Sequence, residues 1–134
     1  MTTYSSFSSR LIPFILVLAI IFLDQVSKSF AGIIFHFTCN RGAAFGIGGN
    51  ALLFSTLVLI LIAVFIYFEK DLLRKLAQLA IFGGGLSNLF DRFTVGCVRD
   101  FIVVGSFPAF NIADIAITIG ALVLVLSLFK NRLR

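Results

Sequence analysis

Residues 51–68 read ALLFSTLVLILIAVFIYF, an 18-residue stretch with no charged side chain. As an α-helix it would be about 27 Å long, close to the ~30 Å thickness of the hydrocarbon core of a bilayer. The whole chain of 134 residues is 60% hydrophobic, whereas soluble globular chains are about 45–50% apolar. We therefore predict an integral membrane protein, much of whose surface faces lipid.

Three further apolar runs surround this stretch, at residues 11–23, 76–90 and 115–129. Each becomes long enough to cross a bilayer only by including polar neighbours, and polar groups inside spans are costly and usually functional. The run after Arg10 leads into Asp24 without the small-residue pattern of a signal-peptide cleavage site, so we expect a retained first helix. We predict an all-α membrane protein of one domain, residues 1–134, with four transmembrane helices at residues 11–31, 51–68, 74–92 and 111–129.

Lysines and arginines stand at the ends of these runs, where they set the orientation of a membrane protein. Four spans put both termini and residues 69–75 on one side of the membrane. That side carries seven basic residues: Arg10, Lys70, Arg74, Lys75, Lys130, Arg132 and Arg134. The other side carries four: Lys28, Arg41, Arg92 and Arg99. Because seven exceeds four, the positive-inside rule places the termini in the cytoplasm. Four of the six acidic residues then gather near the outer face: Asp24, Asp91, Asp100 and Asp114.

Two pairs of polar residues near this face have helical spacing. Asp24 and Lys28 are four residues apart and can pair on one side of a helix, and Asn88 and Arg92 share a helix side in the same way. The small residues at 83–85 precede the second pair and allow helices to approach closely. Each feature also has a purely structural interpretation, as an ion pair that offsets its own desolvation or as a packing patch with an interfacial arginine.

Asp100 and Asp114 are joined by a connection that contains Gly105 and Pro108, which favour a reversal of the chain. Such a reversal can bring the two carboxyl groups together at the membrane boundary. Two neighbouring carboxylates do not both ionise easily, and one neutral acid beside one carboxylate is the arrangement that an aspartyl protease needs. The alternative for an Asp at the head of a span is a helix cap.

These features occur in a fixed order along the chain. Asp24 and Lys28 are followed by NRGAAF at residues 40–45, GGGLSNLFDR at 83–92, VRDF at 98–101 and FNIAD at 110–114. In this order they resemble the lipoprotein signal peptidases, the signal peptidase II family. That family carries an early Asp and Lys, then N-x-G-A-A-F, G-G-x-x-x-N-x-x-D-R, V-x-D-F and F-N-x-A-D. Each motif alone is weak, but five in order are strong.

The resemblance implies that Asp100 and Asp114 are the catalytic aspartates of a membrane aspartyl endopeptidase. It implies that six further residues line or support the site: Asn40, Asn88, Arg92, Asn111, Asp24 and Lys28. The implied substrate is a prolipoprotein with diacylglycerol on its lipobox cysteine, cut just before that cysteine. The implied location is the bacterial cytoplasmic (inner) membrane, with the active site near the extracytoplasmic face. We expect a monomer surrounded by membrane lipid, with no cofactor.

This chain departs from the family pattern in three places. Ser87 stands where the family has a Gly. The stretch from Asp24 to Asn40 is shorter than usual, so we expect a reduced form of the family's β-structured extracytoplasmic cradle between helices 1 and 2. The connection from Asp100 to Asp114 is also short, so the surface helix expected there should be reduced to a turn. These departures bear on substrate grip more than on the catalytic pair.

Three rival functions remain at this point. A degenerate family member could bind lipoproteins without cleaving them. A small four-helix proton-coupled transporter would use a first-helix acid such as Asp24, although transport sites lie near the bilayer midplane. A membrane serine protease would need Ser87 and His36, which no second motif supports.

The sequence offers little support for a metal site or for a nucleic-acid-binding surface. The single His36 and the two cysteines, Cys39 and Cys97, do not have the spacing of a metal-ligand set, so we predict no metal site. The net charge of +5 comes without a basic patch interleaved with aromatic residues, so we predict no nucleic-acid partner. Cys39 and Cys97 both fall near the outer face, and their spacing leaves open whether they form a disulfide.

Overall fold

The computed structural model describes residues 3–34, 36–42 and 50–132, and side chains within residues 11–34, 36–42 and 50–130. Four helices make up most of the described chain: α1 at Thr3–Ile34, α2 at Ala51–Phe68, α3 at Leu72–Thr94 and α4 at Ile112–Arg132. Two short strands, β1 at Thr38–Asn40 and β2 at Val98–Asp100, pair in antiparallel orientation. The predicted helical fold is present, with two short strands that the all-α class by itself does not include.

Three of the four helices are long and apolar enough to cross a membrane: α1 from Leu11 to Ile34, α2 over its whole length, and α4 from Ile112 to Lys130. The predicted span at residues 51–68 coincides with α2. Helix α3 is as long as a span but less apolar, because it carries Ser87, Asn88 and Asp91 on a buried side.

Helix α3 packs against each of the other three helices. Gly84 and Gly120 make its contact with α4 very close. A Cβ atom on Gly84 would lie 2.5 Å from the carbonyl oxygen of Ala113, and one on Gly120 would lie 2.5 Å from that of Ala77. The close approach expected of the glycines at 83–85 is therefore confirmed, and it brings the start of α4 against the polar part of α3.

Strand β1 lies in the segment where a reduced cradle was predicted, and the structure joins it to β2 in two ways. The backbones pair in the register Thr38↔Asp100, and Cys39 and Cys97 form a disulfide, which settles the question that their spacing left open. Residues 43–45 of the NRGAAF motif lie outside the described residues.

The connection between β2 and α4 contains no helix. Ile102 and Phe110 form an isolated antiparallel bridge, so residues 102–110 fold back as a short hairpin. The expected reduction of the surface helix to a turn is confirmed. This reversal returns the chain to the level of Asp100 just before α4 begins.

Candidate active site

The site begins at the N-terminus of α4, where Asn111 precedes the first helical residue. The Asn111 side chain accepts a hydrogen bond from the backbone N–H of Asp114 (2.9 Å), and the Asp114 carboxylate accepts one from the backbone N–H of Asn111 (3.2 Å). This reciprocal arrangement is a capping box. The interpretation of Asp114 as a helix cap is therefore correct, but the capping hydrogen bond uses only one of its carboxylate oxygens, Oδ2.

Asp100 lies at the end of β2 and is 3% exposed. Its carboxylate accepts hydrogen bonds from Asn40 Nδ2 (3.1 Å) and from Asn111 Nδ2 (2.7 Å). Asn111 thus donates to Asp100 through its side chain and to Asp114 through its backbone. The structure therefore hydrogen-bonds both predicted carboxylates to a single asparagine.

Burial has the largest effect on the pKa of Asp100. Removal from water raises the pKa of Asp100, and the negative charge of Asp114 raises it further. Hydrogen bonds from Asn40 and Asn111 and the charge of Lys28 act in the opposite direction without cancelling the rise. Asp100 is therefore the carboxyl group that holds a proton to higher pH than an ordinary aspartate does.

Asn88 connects Asp114 to the interior. Its Nδ2 donates to Asp114 Oδ1 (2.9 Å), while its Oδ1 accepts from Lys28 Nζ (2.9 Å) and from Asn111 Nδ2 (3.1 Å). Because Lys28 and Asn111 both donate to the Asn88 oxygen, only one orientation of the Asn88 amide lets its nitrogen donate to Asp114 at the same time. The orientation of Asn88 in turn fixes the Asp114 carboxylate.

Behind Asn88 lies a set of charged residues that we call the buried ion cluster: Asp24, Lys28, Asp91 and Arg99. Lys28 Nζ lies 2.6 Å from Asp24 Oδ2 and 3.2 Å from Asp91 Oδ2, and all three side chains are fully buried. Arg99 pairs with Asp91 at 2.7 Å. Asp24 Oδ1 also accepts from the backbone N–H of Ala113 (2.8 Å), so a side chain of α1 caps α4.

The predicted pairing of Asp24 with Lys28 is confirmed, whereas two members of the buried ion cluster were missed. The sequence placed Asp91 among the acids near the outer face and in the motif at residues 83–92, but it identified no partner for Asp91. Its partner, Arg99, lies on a strand too short to show a sequence pattern. The available signal in the sequence was that Arg99, a basic residue, stands beside Asp100 among apolar neighbours and therefore needs an acidic partner.

Ser87 is fully buried, and its hydroxyl donates to Asp24 Oδ2 (2.6 Å) and accepts from Gln25 Nε2 (2.9 Å). His36 is exposed. Since the Ser87 hydroxyl is occupied by these partners in the described part of the chain, the two residues do not form a Ser–His pair. Ser87 is a structural member of the polar interior.

Both carboxylates open onto a cavity of about 590 Å³. Its polar end is formed by Asn40, Asn88, Arg92, Asp100 and Asp114, and its walls are apolar side chains of α2, α3 and α4. Arg92 Nη2 donates to the carbonyl oxygen of Gly42 (3.0 Å), which ties α3 to the segment after β1. A cavity lined by two acids and by many apolar side chains suits a substrate that is part peptide and part hydrocarbon.

Comparison with known proteins identifies relatives over almost the whole chain. The family described as signal peptidase (SPase) II matches residues 16–130. A lipoprotein signal peptidase of Pseudomonas fluorescens is 38% identical over 148 aligned residues, which cover 88% of this chain and 87% of that protein. One from Syntrophomonas wolfei is 35% identical over 129 residues, covering 81% of this chain and 87% of that protein.

The alignment with the P. fluorescens protein, at 148 residues, is longer than this chain of 134. It therefore includes residues of the relative that have no counterpart here. A solved structure titled as a bacterial membrane enzyme has a TM-score of 0.78 at 28% identity, covering 90% of this chain and 88% of that one. A second with the same description has a TM-score of 0.75 at 29% identity, covering 88% and 92%.

Proposed function

This chain belongs to the signal peptidase II family, and on that basis we propose that it is an aspartyl protease whose catalytic pair is Asp100 and Asp114. As a member of that family it is a multi-pass bacterial membrane protein that removes signal peptides from prolipoproteins. One observation carries the proposal about the pair: Asn111 donates hydrogen bonds to both carboxylates.

The resting enzyme would hold one proton between the two groups, since like charges at short range do not ionise together easily. We expect Asp100 to carry it, because burial and the charge of Asp114 raise the pKa of Asp100. Asp114 would be the carboxylate. It lies in the first turn of α4, where the partial positive charge of the helix N-terminus favours a negative side chain.

In the reaction, Asp114 Oδ1 would take a proton from a water molecule lying between the two carboxyl groups. The water oxygen would attack the scissile carbonyl carbon while Asp100 donates its proton to the carbonyl oxygen, giving a tetrahedral diol. The proton held by Asp114 would then pass to the leaving amine as the C–N bond breaks. A diol proton would return to Asp100 and restore the starting state.

The supporting residues would act on this pair rather than on the peptide bond. Asn111 and Asn88 hold the two carboxylates in orientation, and Asn40 donates to the outer oxygen of Asp100. Arg92, at the polar end of the cavity, would offer its guanidinium to carbonyl groups of the substrate. Lys28 would keep Asn88 in the orientation that Asp114 needs.

The substrate we propose is a prolipoprotein whose lipobox cysteine carries diacylglycerol, cut just before that cysteine. The apolar walls of the cavity support this assignment, because they include Phe54 and Val58 of α2 and Ile117 of α4. An acyl chain could enter between these helices from the bilayer while the peptide lies at the carboxylates.

We also propose that α3 is a fourth span, so that residues 1–134 form one monomeric peptidase domain with cytoplasmic termini. The burial of α3 among the other helices supports this, since its polar side faces protein and not lipid. The disulfide lies at the same end as the carboxylates. Disulfides form in oxidising compartments, so this end is expected outside the cytoplasm.

The test is cleavage of a diacylated prolipoprotein by the purified protein and by Asp100→Asn and Asp114→Asn. General acid–base groups typically contribute about 10²- to 10⁴-fold, so each variant should lose at least that range of kcat while remaining folded. Asp71→Asn is the matched control: it makes the same change at an exposed residue that caps α3, and its rate should equal that of the parent.

Three outcomes would contradict the proposal in different ways. Full turnover by either active-site variant would remove that residue from the mechanism. An inactive parent that still binds the substrate would identify a non-cleaving family member. A parent inactivated by a metal chelator would point to a different chemistry.

A further inference from the structure

Strand β2 carries Asp100 at its last position, yet it is only three residues long and pairs with one strand among the residues that the structure describes. Isolated two-stranded pairs are marginally stable in water. The backbone pairing with β1 therefore cannot by itself hold Asp100 at a fixed place beside α4. Other contacts of the strand must supply the constraint.

The neighbouring residue, Arg99, makes those contacts on the opposite face of the strand, as alternation along a strand requires. Its Nη2 lies 2.7 Å from Asp91 Oδ1 and its Nε lies 3.2 Å from Asp91 Oδ2. The backbone N–H of Arg99 donates to the same Oδ2 at 3.0 Å. One carboxylate of α3 thus grips both the side chain and the main chain of the residue before Asp100.

The position of the Asp91 side chain is itself fixed by contacts with a second helix, α1. Asp91 is fully buried; it accepts a hydrogen bond from Gln25 Nε2 (3.0 Å) and pairs with Lys28 Nζ at 3.2 Å, and both partners lie on α1. Gln25 Oε1 in turn accepts from Arg99 Nη2 (2.8 Å). Arg99 therefore lies in a closed ring of hydrogen bonds with Gln25 and Asp91, which joins β2 to both α1 and α3.

We propose that Arg99 is a positioning residue of the protease, holding β2 through Asp91 and Gln25 so that Asp100 stays in place across Asn111 from Asp114. This proposal rests on the proposed catalytic pair. Arg99 does not line the cavity described above, so it acts on the reaction through the strand. A planar, two-pronged guanidinium is required, because the ammonium of a lysine cannot bind both carboxylate oxygens in parallel.

The test compares Arg99→Gln, Arg99→Lys and Asp91→Asn with the parent, using active-site titration to count folded enzyme. Arg99→Gln should lower kcat by roughly 10- to 100-fold, a part of the contribution of a general acid, with KM changed less than about twofold. Arg99→Lys should recover only part of that loss. Arg41→Gln, the same change at an exposed arginine just after β1, should leave both constants unchanged.

The pH profile separates positioning from a general loss of stability. Four charged groups act on or beside Asp100: Asp114 on α4, Arg92 on α3, Lys28 on α1 and the adjacent Arg99. The charge of Asp114 and burial both raise the pKa of Asp100, so a displaced Asp100 should lose part of that rise. The alkaline limb of kcat/KM in Arg99→Gln should therefore move to lower pH, whereas a merely less stable enzyme keeps the parent's profile.

The double variant Arg99→Gln/Asp91→Asn completes the experiment. If Arg99 acts through Asp91, the double variant should be no slower than the slower single variant, since residues of one network are not additive. Multiplied losses, or an Arg99→Gln enzyme with the parent's kcat and pH profile, would overturn the proposal. If Asp100→Asn also keeps full activity, the failure lies in the proposed catalytic pair; if Asp100→Asn is inactive, only the role of Arg99 is lost.

Discussion

Helices α2 and α3 contact each other yet are built for different surroundings. In α2 only Leu59 is buried, and the helix contains no charged residue. In α3 seven residues are buried: Ala77, Leu79, Gly83, Gly84, Ser87, Asn88 and Asp91. Helix α2 is thus a wall exposed to lipid on most of its surface, while α3 is the interior of the protein.

The difference shows which parts of the molecule stabilise the helix bundle and position the carboxylates. Lipid tails are as apolar as leucine, so packing α2 against its neighbours gains little from the hydrophobic effect. The buried ion cluster and the close glycine contacts of α3 hold the bundle instead, and they also hold the carboxylates. Stability and catalysis should therefore be sensitive to changes along α3 and insensitive to changes along the outer side of α2.

The largest effect on stability is expected from Lys28→Met, which removes the cation that faces α3 between Asp24 and Asp91. Breaking a buried ion pair typically costs about 3–5 kcal/mol, because a charge is left without a partner. We expect a loss of that size in the free energy of unfolding, measured by denaturant titration in micelles. Lys70→Met, the same change at an exposed loop residue, should have no measurable effect; equal losses in both variants would break the comparison.

A smaller effect is expected from Gly84→Ala in α3. The new Cβ would lie 2.5 Å from the backbone oxygen of Ala113 and 2.9 Å from Ile117, and overpacking of this kind costs about 1–3 kcal/mol. Since Ala113 precedes Asp114, kcat should fall as well. Gly32→Ala, where the nearest atom is 3.8 Å away, is the control. Unchanged thermal stability of Gly84→Ala would show that α4 can retreat from α3 without cost.

The smallest effect is expected from Leu61→Ala on the outer side of α2. The side chain is 55% exposed, and lipid tails replace the lost contacts. The free energy of unfolding should change by less than about 0.5 kcal/mol, the usual range for surface changes away from special features. A loss approaching that of Gly84→Ala would mean that α2 is packed against a partner, such as another copy of the chain.

The sequence predicts the lipid-facing helix α2 more completely than the buried polar side of α3. The limits of α2 were predicted to the residue, because an uninterrupted apolar run needs only length to be recognised. The interior of α3 was predicted in part: the glycines and Asn88 were given roles, while the ion pairs of Asp91 were not predicted. A buried acid is explained only by the partners that reach it, and those of Asp91 come from α1 and from β2.

The positions of the strands and the pairing of the cysteines could not be predicted for a related reason. A three-residue strand has too few positions for an alternating pattern to be distinguished from a loop. Likewise Cys39 and Cys97 are 58 residues apart, and nothing local fixes the distance between them. Asn111 was included only through its motif, and its bridging of the two carboxylates depends on the hairpin at residues 102–110.

The disulfide has a consequence for how the polypeptide survives damage. Because Cys39 and Cys97 enclose α2, α3 and the loops beside them, a single backbone break anywhere between them leaves two pieces still covalently joined. The piece with α1 and the piece with α4 would migrate together in electrophoresis without a reducing agent and separate once one is added. A nicked molecule would thus keep Asp24 and Lys28 of α1 covalently joined to the piece that carries Asp100 and Asp114.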